Sequence, residues 1–305
     1  MSVTLFEAFE QFLNRPKIKD TTRSKYLYRL RPFIALNGTS TSSSITTAMI
    51  LAHIDAQTHL ADPSKSILRQ CFHALFEFCL KKGLITSNPA SDLPRWRDTP
   101  RYIHVPDECE VKGALNTAVK MCESDMWIDQ RDGLVFVLAV YSGCRRGELR
   151  NLDIGDLEQA LANPKGDIYR AYTKGKTGEA IMRFSRFHVP YIEKYLQIRP
   201  KLASTAVFVN LNASHPDYGK KLSLTAFNRI RRKICDRASV PSVTYQELRR
   251  RLATIIARSE GVDVASHALN HSPYSGDRVI RLFYYDPDVE KVDDATAKAF
   301  NGIGT

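Results

Sequence analysis

The sequence has no run of eighteen apolar residues, so no segment is long and apolar enough to span a bilayer as a helix. Its start, MSVTLFEAFEQF, lacks the basic opening and apolar stretch of a secretory signal. The six cysteines, Cys71, Cys79, Cys109, Cys122, Cys144 and Cys235, include no CxxC pair. That argues against a disulfide framework or a structural zinc, and buried thiols in a reducing cytoplasm are the expectation. No internal repeat or low-complexity tract stands out. What remains is a chain of 305 residues, 43% hydrophobic and 25% charged. Such a composition folds as a globule, and the length suits one large domain or two ordinary ones.

The net charge is +11, which favours a polyanionic partner. Residues 1–100 hold 13 Lys+Arg against 8 Asp+Glu, and the remainder 31 against 25. Both parts are therefore basic, as suits a protein gripping DNA from two sides better than one with a basic tail.

The first hundred residues read as helical. Leu5, Phe6, Phe9, Phe12 and Leu13 fall on one face at 3.6-residue spacing. A second helix is expected over residues 21–36, with Tyr26, Leu27, Leu30, Phe33 and Ile34 apolar. The best-marked helix has Asp62 as N-cap, Pro63 at N1, and Ile67, Leu68, Cys71, Leu75, Phe78 and Cys79 inward, ending at Lys81-Lys82-Gly83. The segment PRWRDTPRYIHVP (94–106) is proline-rich and aperiodic, and reads as a linker. Helices then fit 107–121 and 133–141, the second apolar all round and so buried. Strands are expected at 167–173 and 180–189 around the turn KGKTGE, and helices resume from Ile192, Leu224 and Gln246. The fold class expected is mainly α with a small antiparallel β-sheet.

Several basic groups stand in suggestive places. YSGCRRGELRNL puts Arg145 and Arg146 just after the buried helix, where Ser142-Gly143 breaks it and another helix begins. A helix N-terminus favours anions, and a guanidinium adds a planar fork for phosphate oxygens. The bland alternative is a surface pair with Glu148. YQELRRRLAT places Gln246 on a face with Arg249 or Arg250, although a solvated basic face explains most such runs. Lys176 sits in the hairpin turn. His271 follows Leu269-Asn270, and Tyr284-Tyr285 lie in RLFYYDPD.

In this order the set resembles the tyrosine recombinase (phage integrase) family over nearly the whole chain. SGCRRGEL is similar to the family's Thr/Ser-Gly-x-Arg-x-x-Glu-Leu, which implies Arg145 rather than Arg146. TKGKTG resembles its hairpin lysine, implying Lys176, with Lys174 the runner-up. YQELRR looks like His-x-x-Arg, implying Gln246 and Arg249, and LNHS looks like Leu-Gly-His-Ser, implying His271. The nucleophile is Tyr284 or Tyr285. Tyr284 is favoured because YYDP aligns it with the family's Tyr-x-His.

The resemblance implies a helical core-binding DNA-binding domain (1–93), a linker (94–106), an α+β catalytic domain (107–288) and a tail (289–305) that docks on a neighbouring protomer or frays. It also implies cleavage and rejoining of double-stranded DNA through a 3′-phosphotyrosyl intermediate, without metal, ATP or other cofactor. The expected assembly is a tetramer on two DNA sites, with accessory DNA-bending factors and no membrane. The residue types suit this chemistry: two arginines hold the charge that builds on the non-bridging oxygens, and a lysine protonates the leaving 5′-oxygen.

Two departures stand out. Gln246 replaces the usual His or Lys, so it can donate a hydrogen bond but not shuttle a proton. The tyrosines lie 13 and 14 residues beyond His271, about a helical turn further than is usual. Competing readings are a non-catalytic DNA-binding regulator on the same fold and a type IB topoisomerase.

Overall fold

The structure is a computed structural model that describes residues 3–96, 104–175 and 178–270. The chain divides into two compact units, Met1–Arg101 and Tyr102–Thr305.

The first unit holds helices α1 (Leu5–Leu13), α2 (Asp20–Asn37), α3 (Thr47–Asp55) and α4 (Asp62–Lys81). Thr4 caps α1 reciprocally: its Oγ1 accepts from Glu7 N–H, and the Glu7 carboxylate accepts from Thr4 N–H. Leu5, Ala8, Phe9, Phe12 and Leu13 are buried. Phe6, expected on that face, is 54% exposed, because it heads the neighbouring helical row with the exposed Glu10. Leu27 of α2 is likewise exposed, while Leu30, Phe33 and Ile34 are buried. In α4 the N-cap is Ala61 and not Asp62, which sits in the first turn ahead of Pro63; there its carboxylate still favours the helix dipole. The core is aromatic, with edge-on pairs Phe33–Phe72 at 4.9 Å and Phe12–Tyr26 at 4.7 Å, a geometry the ring quadrupoles prefer.

The second unit runs α5 (Glu108–Glu123), α6 (Trp127–Ser142), α7 (Arg146–Arg150), α8 (Ile154–Ala162), β1 (Ile168–Gly175), β2 (Gly178–Ser185), α9 (Val189–Ile198), α10 (Leu224–Arg237), α11 (Tyr245–Glu260) and α12 (Val262–Ala268). Asp107 and Glu110 form a capping box at the start of α5. Leu134 to Ala139 of α6 are buried on every side, as an all-apolar helix requires. Gly133 lets α5 and α6 touch: a Cβ there would lie 2.4 Å from the Ala118 carbonyl.

β1 and β2 pair antiparallel in register from Ile168↔Ser185 to Gly175↔Gly178. The strands therefore reach closer to the hairpin tip than the expected turn 174–179. β2 also stops earlier than residue 189, because Ser185 N–H bonds His188 Nδ1 at 3.1 Å in a tight turn at Arg186–His188. The core-facing residues of β2 are Ala180, Met182 and Phe184. Among the described residues no helix is long and apolar enough to cross a membrane.

Candidate active site

The site begins where α6 ends. Gly143 caps α6 in the left-handed region, with φ 58°, a conformation that glycine adopts without strain. A Cβ there would also meet Leu269 and Leu252 at 2.8 and 2.9 Å. The chain turns through the buried Cys144, whose thiol burial pushes up to about 12, so it is inert. It then presents Arg145 at the N-cap of α7.

Arg145 Nη1 pairs with Glu148 Oε1 at 2.7 Å, and its backbone N–H donates to Glu148 Oε2 at 2.9 Å. The two partners differ sharply in exposure: the Arg145 side chain is 38% exposed and Glu148 1%. The carboxylate is thus a buried anchor that aims a guanidinium still open to solvent. Glu148 also ties Arg145 to the hairpin. Its carbonyl accepts from Thr173 Oγ1 at 2.7 Å, and Asn151 Nδ2 donates to the Lys174 carbonyl at 2.8 Å. A Cβ at Gly175 would sit 3.1 Å from Glu148 Oε1. Arg146 points elsewhere, to Asn228 Oδ1 at 2.7 Å.

α11 supplies the second arginine. Thr244 and Glu247 form a capping box that starts the helix. Gln246 is exposed in its first turn, and Arg249, one turn later, is 1% exposed. A solvated basic face is therefore wrong for Arg249. Its Nη1 donates to the Gly143 carbonyl at 2.6 Å, and its Nη2 donates to the Leu269 carbonyl. One guanidinium thus ties the turn leading to Arg145 and the turn leading to His271.

That last turn is also fastened to the sheet. Asn270, at φ 53°, donates from Nδ2 to the Ile181 carbonyl at 2.9 Å and accepts from Ile181 N–H at 3.2 Å. Arg183 Nη1 donates to the Ala268 carbonyl at 3.1 Å. Burial, and then the facing Arg170, hold the Arg183 guanidinium below its ordinary range.

Of the six residues expected to form the site, Arg145, Gln246 and Arg249 are described. The structure connects Arg145 and Arg249 through Gly143. Lys176, His271 and Tyr284 lie outside the described residues, as do Tyr285 and the tail, although the hairpin strands and the Leu269-Asn270 turn bring the chain to the first two. Thr173, Arg183 and Asn270 were missed as supporting residues. Asn270 carried the one readable signal, since asparagine adopts the left-handed region more readily than most residues.

The family model described as "Phage integrase family" matches residues 111–276. No curated protein matches the sequence. Several solved structures share the fold, among them the following three. A lambda integrase tetramer bound to a Holliday junction is 18% identical, covering 94% of this chain and 80% of that one, with a TM-score of 0.67. The XerH site-specific recombinase in a post-cleavage complex with palindromic difH substrate is 17% identical, covering 90% and 75%, at 0.66. The Tn1549 transposon integrase (residues 82–397) with circular intermediate DNA is 15% identical, covering 98% and 99%, at 0.67. The fold is that of the tyrosine recombinases, a helical N-terminal unit followed by an α+β unit with a two-stranded sheet. With the family model matched over more than half its length, this chain belongs to the phage integrase family of tyrosine recombinases.

Proposed function

We propose that the protein is a site-specific DNA recombinase or integrase that breaks and rejoins strands through a 3′-phosphotyrosyl intermediate. Tyr284 gives up its phenol proton to water as its Oη attacks the scissile phosphorus, the P–O5′ bond breaks, and the 5′-oxygen leaves with a proton from Lys176. Arg145 and Arg249 hold the two non-bridging oxygens as their charge builds, Gln246 donates a hydrogen bond to one of them, and His271 hydrogen-bonds the phosphate. No step calls for a metal or ATP, because the phosphotyrosine stores the bond energy for rejoining.

The observation that carries this reading is the Arg249 bridge between the Gly143 and Leu269 carbonyls. It draws three motif segments, far apart in sequence, to one guanidinium. To reach a phosphate the buried Arg249 must be uncovered, so activation on DNA is part of the proposal.

The domain assignment proposed is 1–93 for DNA binding, 94–106 as linker, 107–288 for catalysis, and 289–305 as a tail docking on a neighbour. The partners are double-stranded DNA and three further copies, forming a tetramer on two sites, with accessory DNA-bending factors. The lambda integrase tetramer on a Holliday junction supports that stoichiometry by analogy of fold. A suicide DNA substrate carrying the flanks of the encoding element tests the reading. A covalent protein–DNA band, lost in Tyr284→Phe and kept in Tyr285→Phe, is expected. No band from the wild type would leave a non-catalytic DNA-binding regulator as the better reading.

A further inference from the structure

The two hydrogen bonds between Asn270 and Ile181 are unlike an ordinary turn contact. In the Tyr172↔Ile181 pair, both peptide groups of Ile181 point away from β1, toward the free edge of β2. One side-chain amide satisfies both, with Nδ2 on the carbonyl and Oδ1 on the N–H. Asn270 therefore acts as one residue of a third strand. A slip by one residue along β2 presents groups that face the other way. The Arg183 contact to the Ala268 carbonyl, two residues further along the same strand, reinforces that register. Asn270 is bonded covalently to His271, and Ile181 lies on the strand that leaves the Lys176 turn.

We propose that Asn270 is a positioning residue that clamps the hairpin bearing Lys176 against the turn bearing His271, and so sets where the leaving-group proton is delivered. This rests on the recombinase reading above. Glycine at 270 would accept φ 53° at least as readily yet has no amide. Aspartate keeps the shape and the left-handed tolerance, but it sets a carboxylate oxygen against the Ile181 carbonyl in place of a donor.

The test compares wild type, Asn270→Gly and Asn270→Asp on two suicide duplexes, one with the natural 5′-oxygen and one with sulfur at the 5′-bridging position. A thiolate leaves without needing a proton, so cleavage of the sulfur substrate bypasses the lysine. Both variants are expected to bind duplex DNA with unchanged affinity and to cleave the oxygen substrate roughly tenfold or more slowly, within the 10²–10⁴-fold that a whole general acid supplies. Both should cleave the sulfur substrate at the wild-type rate. A deficit of equal size on the two substrates would mean that Asn270 merely supports the fold, and no deficit on oxygen would mean that the clamp is idle; either overturns the proposal. If the wild type forms no covalent complex with either duplex, the recombinase reading fails first and takes this proposal with it.

Discussion

Arg249 donates to the carbonyl of Gly143, 106 residues earlier in the chain, at 2.6 Å. A buried guanidinium spanning two carbonyls is a structural element as well as a candidate for phosphate chemistry. Lysine cannot span both, because it is a point charge without a planar fork. Arg249→Lys should lower stability by about 1–3 kcal/mol, the cost of leaving a buried acceptor unsatisfied. A lower urea midpoint at unchanged m-value would record this; an unchanged midpoint would mean that the bridge contributes nothing.

The Arg145–Glu148 pair separates stability from chemistry. Arg145→Ala leaves a buried carboxylate short of its side-chain partner, whereas Arg145→Ala with Glu148→Gln removes the charge that needed it. The double variant should recover most of the stability lost by the single one, by thermal melting. Neither should regain covalent trapping of DNA, since losing a transition-state donor costs about 10²–10³ in rate. Recovery of trapping in the double variant would remove Arg145 from the phosphate site.

His188 is fully buried, edge-on to Tyr141 at 4.6 Å. Burial holds its imidazole below the ordinary range, partly opposed by the hydrogen bond with Ser185. The unfolded chain thus takes up a proton before the folded one does. Stability from this residue is present above the usual imidazole value of 6.5 and is lost as pH falls through the lower folded value. His188→Gln should flatten that acid limb in chemical denaturation at stepped pH. His53, also held low by burial, remains in both proteins and cancels in the comparison. Identical slopes would contradict a neutral, buried His188.

Of the six thiols, Cys109 alone is exposed. Burial pushes Cys79 up to about 11 and Cys122 to about 12, and it raises Cys71 as well. One thiol should react quickly with a maleimide in the native protein and all six after denaturation. Two or more fast native thiols would contradict the packing of α4, α5, α10 or the turn after α6.

Much of the fold was legible because local patterns act locally. The 3.6-residue stripe of Leu5, Phe9 and Phe12, the Pro63 near the start of α4, and the all-apolar stretch before Ser142 each name their own element. Errors arose where a neighbour decided. Phe6 and Leu27 are as apolar as the residues beside them, but they sit outside the buried stripes of α1 and α2 and stay exposed. The second strand ended early because His188 offers Ser185 N–H a bond that the ladder does not. Asp62 yielded the cap to Ala61 through a one-residue shift of the helix start.

The residue types and order of Arg145, Lys176, Gln246, Arg249 and His271, with the tyrosines behind them, belonged to the sequence by itself, and with them came the family and the expected chemistry. Tertiary structure alone decided that Arg249 is buried while Arg145 stays open, that Glu148 aims one and Gly143 receives the other, and that Asn270 joins β2. The reason is physical: motifs are written in side-chain identity, whereas burial and carbonyl capture depend on segments a hundred residues apart meeting in space.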